Sequence, residues 1–256
     1  MALTASAAIE NSCSEQEWLV RQDLAACYRA FVHYGWTDLI YTHLSARVPG
    51  YDDQYLINPY GLLFHEISAS SLIKVTFDGE VIAGDYPYNS AGHSIHTAIL
   101  KARPDVNVVL HSHTRAGAAV SCMKEGLLPM SQHSNEVLGY LCYHDYDVAT
   151  DNEHECEMLG RDMAENWSMI MRNHGLLTAG RNVAEAFYHM YYLEMACKIQ
   201  VDVMASGAEV QYPPKHAQQQ LLEEGMPDVD GPGDRVNRPW AAVIRMLDEK
   251  DPSYRE

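Results

Sequence analysis

His111 and His113 stand two residues apart at the end of a short apolar run, Val106 to Leu110. The run is rich in β-branched residues and too short for a helix, so it predicts a buried strand. Side chains alternate along a strand; both imidazoles therefore point to one face and Ser112 to the other. Two imidazoles on one face can share a divalent cation when a further ligand joins them. By themselves they are equally two polar residues where a strand surfaces. A third imidazole lies in Asn173-His174-Gly175, between the apolar segments Met169 to Arg172 and Leu176 to Thr178. Glycine there lets the backbone bend closely around a site. A lone histidine in such a turn is more often structural. With His111 and His113 it would complete a three-imidazole set with positions left for water or substrate.

The rest of the chain must position these groups. With 256 residues it can form one large domain or two small ones, and 47% hydrophobic against 21% charged residues is ordinary for a globular protein. A formal net charge of -17 argues against nucleic acid and anionic membrane surfaces as partners. No apolar run reaches the roughly 20 residues that cross a bilayer. The first 14 residues lack the basic and apolar regions of a signal peptide, which predicts a cytoplasmic protein. The six cysteines are scattered without a C-x-x-C pair, so reduced thiols are expected rather than a disulfide framework.

In chain order, Ser14-x-x-Glu17 reads as a capping box opening an amphipathic helix that ends near Gly35. Strands are predicted over Tyr41 to Val48 and Tyr55 to Ile57, then a turn at Asn58-Pro59-Tyr60-Gly61. Ser68 to Leu72 reads as a short helix. Ile73 to Phe77 and Glu80 to Ala83 flank Asp78-Gly79, a hairpin signal. Ser90 opens a helix, carrying His93 and His96, that Pro104 stops. Thr114 to Met123, Glu153 to Asn166 and Asn182 to Ala205 read as helices, and Leu127 to Leu141 as irregular. From Gly207 the chain turns acidic and rich in Pro and Gly. The domain plan is a flexible terminus over 1–14, a metal-binding α/β domain over 15–206, and a tail over 207–256 packed on the domain or on a neighbouring subunit.

The R-P-D-x-N-x-V-x-H-x-H stretch from Arg103, the N-H-G-L-L turn from Asn173 and the long helix after it resemble the class II aldolase/adducin domain over about residues 15 to 205. The two motifs stand in that order about sixty residues apart. The resemblance implies a three-layer α/β/α fold with a mainly antiparallel central sheet. It further implies homotetramers with active sites between subunits, and His111, His113 and His174 as ligands of a divalent metal. Zinc is the leading choice, with Mn, Fe or Co as alternatives.

The chain departs from the family pattern where the family aldolases carry a catalytic Glu, nineteen residues ahead of the first metal histidine. Gly92 stands there. Of the Ser-Ser pair that grips phosphate just before that Glu, only Ser90 remains, followed by Ala91. The Asn of the first phosphate loop corresponds to His43, and a small polar residue before a loop glycine to Tyr60. These changes argue against a sugar phosphate and make His43, Tyr60 and Ser90 candidate contacts for a planar or aromatic acid. Arg115, just after the strand, is a candidate for binding a substrate carboxylate, or else a surface ion pair. The family's proton-donating Tyr, brought from a neighbouring subunit, aligns with His133, whose imidazole can exchange a proton near neutral pH. His93 is a candidate fourth ligand or catalytic neighbour of the vacated position. Glu66 is the nearest replacement carboxylate, with a helix cap as the plainer role. His96 reads as a hydrogen-bonding support behind the metal strand.

The function this reading favours is a metal-dependent lyase that cleaves a C–C bond, by decarboxylation or retro-aldol cleavage, in a non-phosphorylated carboxylic, hydroxy or keto acid. The alternatives are a non-haem Fe(II) oxygenase acting on an aromatic acid, a sugar-phosphate aldolase or epimerase, and a non-catalytic adducin-like module.

Overall fold

The computed structural model describes residues 12–146, 153–225 and 231–256. Most of the flexible terminus expected over 1–14 falls outside the described residues. The described elements form one eight-stranded sheet with helices on both faces.

The strands are β1 (His43–Arg47), β2 (Gln54–Ile57), β3 (Ile73–Thr76), β4 (Val81–Ala83), β5 (Val108–Ser112), β6 (Leu141–His144), β7 (Ser168–Met171) and β8 (Gly175–Gly180). Their order across the sheet is β4-β3-β2-β1-β5-β8-β7-β6. Every neighbouring pair is antiparallel except β6 with β7. The strand carrying His111 is therefore central, between β1 and β8. Residue alternation separates the two cores. Leu44, Leu56, Val108, Leu110 and Leu176 pack on one face beneath α1 (Glu15–Tyr34) and α6 (Val183–Ala205). Tyr55, Ile57, Val109, Leu177 and Ala179 pack on the other, beneath α2 (Ser90–Ala102) and α5 (Glu153–Met163). This is the three-layer α/β/α arrangement expected from the sequence.

Local chemistry sets the boundaries. Ser14 Oγ accepts from the Glu17 N–H at 3.1 Å, and Gly35 ends α1 in the left-handed region at φ 71°. The other half of the expected capping box is replaced. Glu17 is buried, and its carboxylate meets Arg21 at 2.9 Å and Lys74 at 2.7 Å instead of the cap. Arg21 in turn donates to the carbonyls of Ala69 and Leu72, pinning the short 3-10 turn Ala69–Ser71 beneath the helix.

Two stretches differ from their sequence reading. Within the supposedly irregular 127–141 segment, Ser131 caps a short helix α4 (Gln132–Val137), accepting from the Ser134 N–H at 3.1 Å. A serine cap on so short a helix leaves no apolar period to read. The supposed tail contains α7 (Lys215–Gly225) and α8 (Asp234–Lys250), with α3 (Arg115–Ser121) completing the described helices. Val236, Trp240, Val243 and Leu247 of α8 are buried, and Trp240 lies 5.1 Å from the Phe187 ring of α6. The helical spacing is present there, but the surrounding Pro, Gly and acidic residues obscure it.

Candidate metal centre

The strand β5 and the β7–β8 turn bring three imidazoles together. His113 Nε2 lies 2.8 Å from His111 Nε2 and 2.8 Å from His174 Nε2. The turn requires its unusual backbone. Asn173 has φ 56°, a left-handed conformation that asparagine tolerates better than most residues. A Cβ at position 175 would lie 2.3 Å from the Ser112 carbonyl oxygen, so only glycine lets β8 leave the turn alongside β5.

Hydrogen bonds fix which nitrogens face inward. His111 Nδ1 meets the Leu176 carbonyl at 2.9 Å and must carry the hydrogen, because a carbonyl only accepts. His113 Nδ1 meets Asp38 Oδ2 at 3.0 Å and donates likewise. A neutral imidazole with its hydrogen on Nδ1 leaves Nε2 a bare lone pair. With both rings in the neutral form that a ligand requires, His111 and His113 would direct two lone pairs at one another, a repulsion that a shared cation relieves. Burial, reinforced by the neighbouring imidazoles, holds His111 well below the ordinary histidine range and His174 at about 4. These rings are neutral at pH 7, as metal ligands must be. Ligands on a tetrahedral zinc lie roughly 3.3 Å apart, so an ion would need them to open by about half an ångström. The donor set fits a divalent cation, with Asp38 and Leu176 orienting the ligands.

Asp38 sits on a loop whose Leu39 and Thr42 both hold positive φ, 51° and 67°. Such conformations cost energy for residues with a Cβ, and here both follow closely on the support of a ligand.

The triad opens into a cavity of about 640 Å³. His43, Tyr60 and Ser90 line it, as do His144 and Arg172. His43 pairs directly with His111 across β1 and β5, and the two rings stack at 5.1 Å with a 27° interplanar angle. His43 Nδ1 lies 2.7 Å from His96 Nε2, and His96 Nδ1 makes a short contact with Ser45 Oγ. Both rings are buried, which drives them well below the ordinary histidine range. Other sequence candidates lie outside this lining. His93 is held by the Tyr55 hydroxyl at 2.7 Å and lies against Tyr88. The Glu66 carboxylate accepts from the Leu63 N–H at 2.8 Å, capping its own turn. Arg115 is exposed at the start of α3, and the His133 ring packs 5.6 Å from Tyr192 on α6. The structure adds a group the sequence reading missed. His144, at the end of β6, meets Asp162 of α5 at 2.8 Å. The partners are 18 residues apart on different elements, with no local pattern to join them.

A larger cavity, about 950 Å³, lies at the opposite end of β1 and β5. Arg47 on its wall donates to the carbonyls of Asp52, Leu100 and Val106, and Arg181 is paired with Glu185. Volume alone does not mark the site; convergent unshared nitrogens do.

The family of class II aldolase and adducin N-terminal domains matches residues 22–201. This chain belongs to that family. A Pseudomonas aeruginosa protein carrying the provisional name aldolase class 2 protein is 45% identical over 253 residues, covering 97% of this chain and 96% of that one. Rat alpha-adducin is 39% identical over 245 residues, 91% of this chain but 33% of the adducin. The structure of an aldolase II superfamily protein from Pseudomonas syringae superimposes with a TM-score of 0.91 at 45% identity, covering 97% of this chain and 99% of that one. The L-fuculose 1-phosphate aldolase of Glaciozyma antarctica superimposes at 0.81 with 26% identity, covering 94% and 93%. This class II aldolase and adducin family member thus has both an aldolase and an adducin among its relatives. No described helix is long and apolar enough to cross a membrane.

Proposed function

We propose that this chain is a divalent-metal-dependent lyase that cleaves a C–C bond of a non-phosphorylated carboxylic, hydroxy or keto acid. The observation that carries the reading is the convergence of His111, His113 and His174, two of them with hydrogens directed away from the shared point. A divalent cation bound there, zinc being the first choice, supplies a Lewis acid for a carbonyl or enolate oxygen. Tyr60 and Ser90 contact substrate from the cavity wall. The site is shared between subunits of a homotetramer, and His133 of a neighbouring copy delivers the proton, since within one chain its ring packs on Tyr192. Decarboxylation and retro-aldol cleavage both need such a proton donor.

Elemental analysis of the purified protein, with turnover measured over a panel of carboxylic acids, tests this. One equivalent of divalent metal per chain is expected, with metal and turnover both lost in His111→Ala. A protein without stoichiometric metal, or a fully active His111→Ala variant, would sink the reading. Three neutral imidazoles suit Fe(II) equally, so the oxygenase is the second reading; oxygen uptake by iron-loaded protein during turnover would select it.

A further inference from the structure

Gly92 of α2, buried beside the cavity-lining Ala91, packs against the His43 ring of β1. A Cβ at position 92 would lie 2.6 Å from His43 Cδ2 and 2.7 Å from Cγ, closer than side-chain atoms approach. The ring has little freedom to retreat, being bonded to His96 and stacked on His111. Gly92 and His43 are therefore one exchange. The volume a side chain at 92 would fill is taken from the opposite element by an imidazole.

Counting hydrogens tells what that imidazole offers. The chain of contacts runs from Ser45 Oγ to His96 Nδ1, then from His96 Nε2 to His43 Nδ1. Ser45 and His96 are fully buried. Among the described residues His96 is the partner shown for the Ser45 hydroxyl, so its one hydrogen goes to His96 Nδ1. A neutral His96 then carries its hydrogen on Nε2 and donates it to His43 Nδ1. A neutral His43 must in turn carry its hydrogen on Nε2. The reverse order leaves a buried hydroxyl hydrogen without an acceptor, which native interiors avoid.

We propose that His43 is a fixed N–H donor on the cavity wall, a specificity-determining group for a substrate carboxylate oxygen and not a fourth metal ligand, and that Gly92 is what admits it. This rests on the reading of the cavity as a substrate site. A ligand needs a bare nitrogen, whereas this one is protonated, and His43 stands outside the convergent triad. A carboxylate fits better than a phosphate. The N–H groups of Ala91 and Gly92, which open α2 toward the cavity, are occupied by Asn89 Oδ1 at 3.0 and 3.4 Å.

Two measurements test the proposal. A neutron structure of the metal-free protein should show deuterium on Nε2 of both His96 and His43. Deuterium on His43 Nδ1 with bare Nε2 overturns it. This arm needs neither substitution nor turnover, so it stands apart from the lyase reading. Calorimetry of the zinc-loaded protein should give oxalate binding weakened about tenfold or more in His43→Leu, with zinc stoichiometry retained and the protein folded at the assay temperature, though less stable because His96 loses its acceptor. Unchanged oxalate affinity, loss of zinc from a folded His43→Leu protein, or inorganic phosphate binding more tightly than oxalate each overturns it.

Discussion

His111 and His189 are nearly twins by local measures. Both are buried, and each directs Nδ1 at a backbone carbonyl 2.9 Å away, Leu176 for one and Ala179 for the other. Burial pushes both below the ordinary histidine range, His189 to about 4. They differ in what surrounds the rest of the ring. His111 Nε2 meets the Nε2 of His113. His189, on the long helix α6 itself, packs among Tyr140, Trp167 and Tyr188. Burial and a depressed pKa therefore do not mark a site in this molecule. Convergence with a second and third lone pair does, because only that arrangement gains from a cation.

The comparison is tested hardest by removing a ligand that is not on the β5 strand. His174→Ala should leave two imidazoles and lower metal affinity by several orders of magnitude, roughly the scale of losing one of three ligands. Competition against a chelating dye measures it. The fold should persist, because His174 lies in a turn outside both hydrophobic cores. Retained tight binding would mean that the triad is a hydrogen-bonded cluster and not a metal centre.

A smaller effect is expected one step back from the ion. Asp38→Asn keeps a group able to accept from His113 Nδ1 but removes the charge that raises the ligand's basicity. Metal affinity should fall about 10- to 100-fold at constant metal specificity. If Asp38→Asn and wild type bind zinc alike, the carboxylate serves only the strained loop it sits on.

Much of this contrast is legible in the amino-acid sequence. The alternation from Val108 through His113 places both histidines on one face, and the glycine after His174 announces a close backbone approach. The hairpin at Asp78-Gly79, the central strand and the long helices follow from period and punctuation. What lay hidden depends on pairing between distant elements. Asp38 reaches His113 across 75 residues, and His43 reaches His96 across 53. His144 with Asp162 has no sequence signature at all. Gly92 reads in the sequence as a missing carboxylate; in the fold it is the space occupied by His43. The same limit applies to α8, whose apolar stripe is readable only once α6 offers a surface for it.

His189 supplies the control, and the smallest effect on the metal. His189→Gln retains an N–H for the Ala179 carbonyl but cannot titrate. Metal affinity should be unchanged and stability at pH 7 within about 1 kcal/mol of wild type. The difference should appear in acid. His189 in the unfolded chain takes up a proton below its ordinary value of 6.5, while in the fold it stays neutral down to about 4. The unfolded state then binds more protons, so wild-type stability contributed by this group is full above pH 6.5 and declines as pH falls toward 4. The full decline is roughly 3 kcal/mol. Denaturant titrations of the two metal-free proteins should therefore agree at pH 7 and diverge at pH 4.5, the glutamine variant losing less on acidification. Parallel losses would show that His189 is protonated in the fold. Loss of metal from His189→Gln would remove the distinction between a buried imidazole and a liganding one.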